Sequence, residues 1–183
     1  MEKWANLDAP VSALAAADDA VLCAFGDHLA FMGRLSLSHG TTTYWPMRGS
    51  VRHVVAHDGF VAVSTGDRTG ARRLHVAELP EDGGRPRWQS WAAHASGDDW
   101  EDPRIDTFAF LTKEHLVSAG ESLLVLSLTG AEKAGRRPKR VGSLRVPGGP
   151  LAARRIDEHW WELAVGPSIE RLTRWQLRPS FST

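Results

Sequence analysis

The chain has 183 residues, 42% of them apolar and 24% charged, with 22 basic side chains against 22 acidic ones. That composition suits a globular protein with a sizeable core and argues against disorder on a large scale. A formal net charge of zero leaves no global field to gather nucleic acid or an anionic membrane, so binding of that kind has to be local.

In chain order the sequence breaks into apolar runs of strand length, separated by Gly, Asp and Pro. Lys3 to Leu7, KWANL, is a short first run. VSALAAA, from Val11, ends at Asp18-Asp19, AVLCAF leads to Gly26-Asp27, and HLAFMGRL follows. A helix over Pro10 to Ala24 competes here, because alanine is the best helix former and Pro10 suits a first turn. Strands are preferred because later stretches with the same punctuation are β-branched. TTTYWPM, Thr41 to Met47, makes the fourth strand of a first unit, with Pro46 expected to end it.

A second unit repeats the punctuation most clearly. Val51 to Ala56 leads to His57-Asp58-Gly59, Phe60 to Thr65 leads to a Gly66–Gly70 turn, and Arg73 to Leu79 precedes a loop from Pro80 to Pro86. Arg87 to Ala92, RWQSWA, is its fourth strand. The third unit runs from Ile105 through DTFAFL and EHLVSAGESLLVLSL, a long loop over Thr129 to Lys139, and RVGSLRV to Val146. The fourth begins at Leu151 after a PGGP turn, continues as HWWELAV past Asp157-Glu158, and ends with IERLTRWQL.

The spacing repeats as well. Leu74 to Leu79, Leu123 to Leu128 and Leu172 to Leu177 share the form Leu, four residues, Leu, at two steps of 49 residues. HLAFMGRL, ending at Leu35, is a looser fourth instance. Self-similarity at a period of about 20 to 50 residues is the mark of repeat arrays and propellers. The expected architecture is all-β, a single domain of four units at 11–47, 51–92, 105–146 and 151–177.

The phrase VRHVVAHDGFVAVSTGDRTGARRLHVAEL, an apolar run, Asp-Gly, a second run with Thr-Gly and a third run ending in Leu79, resembles a blade of the β-propellers of the WD-repeat superfamily. The resemblance covers nearly the whole chain and is carried by spacing, since the Trp-Asp and Gly-His signatures of that superfamily are absent. It implies four-stranded antiparallel blades and a protein interaction module or scaffold. Small propellers of this kind look like companions of AAA ATPases and von Willebrand A domains in bacterial multiprotein systems. After Leu177 only RPSFST remains, so the fourth unit has three strands of its own. KWANL matches RWQSW, with Trp4 in the place of Trp88, and the last blade is expected to be completed by residues 3–7 of the same chain or of a second copy. An unpaired edge would otherwise stay open.

Function has weaker signals. His94, Asp98, Asp99, Trp100, Glu101, Asp102 and Arg104 lie between the fourth strand of one unit and the first strand of the next. Four carboxylates around an indole can grip an Arg or Lys of a protein partner by ion pairing and cation-π contact. The plain alternative is a solvated acidic loop with Trp100 packed down as an anchor. Gly130 to Arg140 holds five basic residues and one acid, a patch able to meet phosphate. A solubilising loop is the preferred reading, because no aromatic platforms are interleaved, and nucleic acid is not expected as a partner.

Eight histidines form no recognised ligand pair; His53 and His57 are spaced by four, a helical spacing on what reads as strand and turn. No metal, cofactor or catalytic residue is assigned. Cys23, in an apolar run, reads as a buried structural thiol, and no intrachain disulfide can form. The tryptophans read as structure: Trp45, Trp88 and Trp91 on outer strands, and Trp160-Trp161 alternating so that at least one packs between units. The amino-terminal stretch is broken by Asp18-Asp19 and no run approaches the roughly 20 apolar residues of a membrane span, so a soluble, cytoplasmic protein is expected. The leading expectation is a non-enzymatic interaction module, with a homodimer as one form. The other is a small-molecule hydrolase or lyase with a polar pocket at the ring centre, using Asp98 or Glu101 with His94 for proton transfer.

Overall fold

A computed structural model describes residues 11–26, 29–66, 72–92, 107–119, 123–131, 138–144, 151–157, 160–166 and 173–177. Among them are fifteen strands and no helix. The first sheet is formed by β1 (Val11–Ala17), β2 (Ala20–Phe25), β3 (Leu29–Ser36) and β4 (Thr42–Arg48), in that order and antiparallel throughout. The second holds β5 (Ser50–His57), β6 (Phe60–Gly66), β7 (Arg72–Glu78) and β8 (Gln89–Ala92). The third holds β9 (Thr107–Thr112), β10 (His115–Ala119), β11 (Leu123–Ser127) and β12 (Lys139–Leu144). The fourth has three described strands, β13 (Leu151–Arg155), β14 (Trp161–Val165) and β15 (Thr173–Leu177). Residues 3–7, expected to complete it, lie outside the described residues.

Each sheet is a simple up-and-down meander, and the turns show why. Asp58 and Gly59 both take positive φ, 49° and 74°, as a two-residue turn of the hairpin-favouring hand requires. Asp18 at 42° plays the same part between β1 and β2. The alanine-rich start of the chain is strand, and not helix, because Ala13 to Ala17 pair residue by residue with Ala24 to Ala20. Cross-strand packing overrides the local preference of alanine. Proline at 46 does not end its strand: β4 continues to Arg48, with Pro46 opposite Phe31. β4 is the last strand of its sheet, where a missing N–H costs no ladder bond.

By contacts the chain divides into two compact units, 1–94 and 95–183. In the first, β1 lies beside β5 and the two sheets face each other. Leu22, Ala24, Ala30, Met32, Trp45 and Met47 from one sheet meet Val51, Val54, Val61, Val63, Ala77 and Leu79 from the other. Alanines 13, 15, 17 and 56 give room for the two bulky side chains of the layer, Trp45 and Trp88. In the second unit β9 lies beside β13. Leu111, Val117, Leu123 and Val125 pack there on Trp161, Leu163 and Val165. Trp161 is thus the buried member of its pair, and Trp160 is 37% exposed.

The repeat is visible in the backbone. Leu37, Leu79 and Leu128 each donate a 2.7 Å N–H bond, to the carbonyls of Asp19, Gly59 and Glu114 respectively, tying the end of a third strand to the turn between the first two. Leu79 and Leu128 are therefore equivalent, as the 49-residue step implies. In the first sheet the equivalent position is Leu37, two residues beyond the Leu35 read from sequence, and the step from Leu37 to Leu79 is 42 residues. Leu35 misled because it is apolar and pairs with Val21 inside the ladder, whereas Leu37 sits in an exposed turn.

Candidate functional site

The residues singled out from sequence, His94, Asp98, Asp99, Trp100, Glu101, Asp102 and Arg104, lie outside the described residues. What the structure fixes are their anchors, with β8 ending at Ala92 and β9 beginning at Thr107. The basic stretch is described in part. Gly130, at φ 76°, and Ala131 form a turn closed by the Ala131 N–H on the Leu128 carbonyl, Pro138 is buried, and Lys139 and Arg140 are exposed at the start of β12. Among the described residues no three histidine, cysteine, aspartate or glutamate side chains come together as a metal site would need.

Three constellations come together only in the folded chain. The first is buried. His75 on β7 reaches Thr65 on β6 through Nε2 at 2.9 Å and Ser90 on β8 through Nδ1 at 2.7 Å. The register aligns them, since His75 stands opposite Val63 and Ser90, and Thr65 is two residues along on the same face. The ring also meets Trp88 edge-on at 6.4 Å. Burial, helped by the nearby Arg73 guanidinium, pushes the imidazole down to about 4. A neutral imidazole has one donor and one acceptor nitrogen, and the two hydroxyls use both. The group pins three strands together and has no nitrogen left for a substrate.

The second is a rim of exposed polar side chains at the turn end of the first sheet. Ser38 Oγ donates to Asp19 Oδ2 at 3.1 Å and lies 2.8 Å from His39 Nδ1, and Ser36 Oγ is 3.1 Å from Ser38 Oγ. Arg34 pairs with Asp19 at 3.6 Å and donates to the Pro80 carbonyl at 2.6 Å. The types are those of a hydrolytic triad, but the order is wrong for one. In a triad the imidazole stands between hydroxyl and carboxylate so that it can take the hydroxyl proton. Here the hydroxyl stands in the middle and donates its hydrogen bond to the carboxylate. His39 Nδ1 must then donate, and the cluster locks the turns of residues 18–19 and 37–41 together.

The third is apolar. On the face of the first sheet turned away from the second, register places Leu14, Cys23, Gly33 and Tyr44 in one row and Phe25, Phe31 and Pro46 in the next. Phe25 stacks on Phe31 at 5.8 Å and takes Tyr44 edge-on at 5.7 Å. A Cβ on Gly33 would come within 2.9 Å of Cys23 Sγ and 3.3 Å of the Tyr44 ring, so glycine is what lets the tyrosine lie across the sheet. Cys23 is buried beneath, its thiol 3.6 Å from the Gly33 carbonyl and pushed up by desolvation, as befits a structural cysteine. The aromatics above stay open, with Leu14 62%, Tyr44 48% and Phe31 38% exposed. A signal for this face was present in the sequence: Tyr44-Trp45 are adjacent on a strand, so only one can point into a core.

Neither a family model nor a curated protein sequence matches the chain. Solved structures do. The computationally designed Ika4 protein is similar at a TM-score of 0.53 and 12% identity, over 93% of this chain and 92% of that one. The β-propeller domain of Cps50 (Swd1) from Myceliophteria thermophila is similar at a TM-score of 0.54 and 9% identity, over 92% of this chain and 58% of that one. With the four consecutive antiparallel meanders, this likeness shows the fold: an all-β, four-unit propeller whose sheets are the blades.

Proposed function

We propose that the chain is a non-enzymatic protein interaction module of a bacterial multiprotein system, presenting the acidic loop His94 to Arg104 to a basic segment of its partner. The observation that carries this reading is how the described polar side chains are spent. The buried histidine is neutral and saturated by two hydroxyls, and the exposed Asp, Ser and His are ordered to hold turns. A propeller supplies a rigid frame on which loops face partners, and a loop with Asp98, Asp99, Glu101 and Asp102 around Trp100 matches an Arg- or Lys-rich segment in charge and in cation-π capacity. The GC-rich character of the composition, 18 Arg against 4 Lys, supports a bacterial source.

The test is quantitative co-purification with the chain carrying Asp98→Asn, Asp99→Asn, Glu101→Gln and Asp102→Asn together. Exposed charges contribute little to folding, so the melting temperature should stay within a few degrees. The partner held by the unaltered chain should be lost. Equal recovery by both chains would remove the acidic loop from the proposal, and turnover of a small molecule by the unaltered chain that the altered chain loses would replace the module by an enzyme.

A further inference from the structure

From the charges at one end of the second blade we infer that the chain holds a phosphate ester group there, on Arg52 and the arginines around it. The site shares no residue with the acidic loop and goes beyond that reading. In the first two blades the described charges are sorted by end. Asp18, Asp19, Asp58, Glu78, Glu81 and Asp82 all lie at the end where the first strand of a blade turns into its second and the third leads to its fourth. Arg34, at that same end, is spent on Asp19 and the Pro80 carbonyl. The opposite end carries Arg48, Arg52, Arg72 and Arg73, and no carboxylate stands among its described residues.

Register brings these four together. Ser50, Gly66 and Arg72 form one row of the second sheet, and Val51, Thr65 and Arg73 the next. Arg52 falls in the bulge between Val51 and His53, with no residue opposite it. The matching bulge of the first sheet holds Ser12, whose hydroxyl turns back on the Ala24 carbonyl. Arg52 instead is exposed. A Cβ on Gly66 would stand 3.5 Å from its Nε, so the guanidinium lies over a residue without a side chain, and Arg72 stands across the ladder from that residue. Arg48, two residues ahead of Ser50, and Arg73 are exposed too, and among the described residues no carboxylate pairs with Arg48, Arg52 or Arg73. Like charges on neighbouring strands repel, and an anion set among them turns that cost into binding. Guanidinium groups meet oxyanions through a fixed fork of N–H donors. A phosphate ester brings about −1.5 to −2 charges and three acceptor oxygens, where a carboxylate brings a single charge. Patch size decides against nucleic acid. Three strands about 4.8 Å apart span about 10 Å, room for one or two phosphates, whereas a nucleic-acid surface meets about 6–10 of them.

Titration calorimetry of the full chain at fixed ionic strength, with phosphoserine as probe and glutamate as control, tests this. Saturable binding of phosphoserine, at least tenfold tighter than of glutamate, is expected, and equal affinities or no binding overturn the inference. Arg52→Gln with Arg73→Gln should weaken phosphoserine at least tenfold. Arg85→Gln with Arg87→Gln, exposed arginines between β7 and β8, should leave it unchanged, and equal effects of the two pairs overturn the site. Should the first pair fail to melt cooperatively, phenylglyoxal modification of the unaltered chain decides. Phosphoserine should protect Arg52 and Arg73 and leave Arg85 and Arg87 reactive, and protection of all four alike overturns the site. A phosphoserine peptide separates the two sources of phosphate: bound more tightly than phosphoserine it makes the ligand a modified side chain of a partner, and bound equally or less tightly it makes the ligand a small phosphate ester. A single-stranded oligonucleotide bound more tightly than either overturns the inference in favour of nucleic acid. The chain neutralised at Asp98, Asp99, Glu101 and Asp102 should bind phosphoserine as the unaltered chain does, and binding by the neutralised chain alone would hand the arginines to the acidic loop. That chain also keeps the two proposals apart, since lost co-purification with phosphoserine binding intact, or the reverse, tells which of them has failed.

Discussion

The two faces of the first blade are made from the same four strands and differ in what they meet. The inner face carries Trp45, Met32, Leu22 and Met47, all essentially buried, against the second blade. The outer face carries Tyr44, Phe31 and Leu14 in alternate positions of the same strands, open to solvent. The contrast teaches that the strand period decides stability and the neighbour decides use. Trp45, facing another sheet, is packed into a shared core, while Tyr44, facing away, meets Phe25 edge-on and lies in the room left by Gly33.

The largest effect should come from the inner face. Trp45→Ala removes a side chain that is 2% exposed, and large-to-small changes of buried aromatics cost about 3–5 kcal/mol. Tyr44→Ala, one residue away, should cost about 1 kcal/mol or less. Denaturant melts of the two variants against the unaltered chain check the ratio. Equal losses would mean that the outer face is as firmly packed as the inner one.

The second effect is of similar size but depends on pH. His75 lies on the inner-facing side of the second blade and is held down to about 4, against about 6.5 when unfolded. Its folded form prefers to be neutral, so its contribution is complete above pH 6.5. It is lost as pH falls from 6.5 toward 4, because the unfolded chain takes up a proton that the folded chain refuses. The full difference corresponds to about 3 kcal/mol. His115, also lowered by burial, titrates in the same direction. Melts at pH 7.5 and pH 5 should therefore differ, and His75→Gln should flatten much of that slope. A slope unchanged in the variant would show that the imidazole is not held neutral.

These contrasts also mark how far the sequence could be read. Strand positions were legible because turns such as Asp58-Gly59 carry their conformation in their residue types, and four of four expected units emerge as sheets. The exact repeat of the first unit was not, since Leu35 and Leu37 are equally apolar and only the hydrogen bond to Asp19 tells them apart. His75 was passed over because its partners, Thr65 and Ser90, are ten and fifteen residues away and meet it only through register. Nothing local distinguishes it from a solvent-facing histidine. The outer aromatic face was hidden for the opposite reason. Alternation placed Tyr44 opposite to Trp45, but alternation alone does not say whether another sheet covers that side.

A smaller effect sharpens the comparison within the outer face. Gly33→Ala puts a methyl 2.9 Å from the Cys23 sulfur and 3.3 Å from the Tyr44 ring. Something must move, at a cost of about 1–2 kcal/mol for crowding of this kind. Adding Cys23→Ala should return most of it, because the methyl then takes the volume the sulfur leaves. A double-mutant cycle measures that coupling, and additive losses would place the strain elsewhere in the sheet.

The smallest effect is the most discriminating. Leu14 is 62% exposed, so Leu14→Gln removes little buried area from the monomer and should change its stability by no more than about 0.5 kcal/mol. Denaturant melts of the variant and the unaltered chain check this, and because so little of the side chain is covered, a loss above about 1 kcal/mol would mean that Leu14 is packed more closely than its exposure indicates.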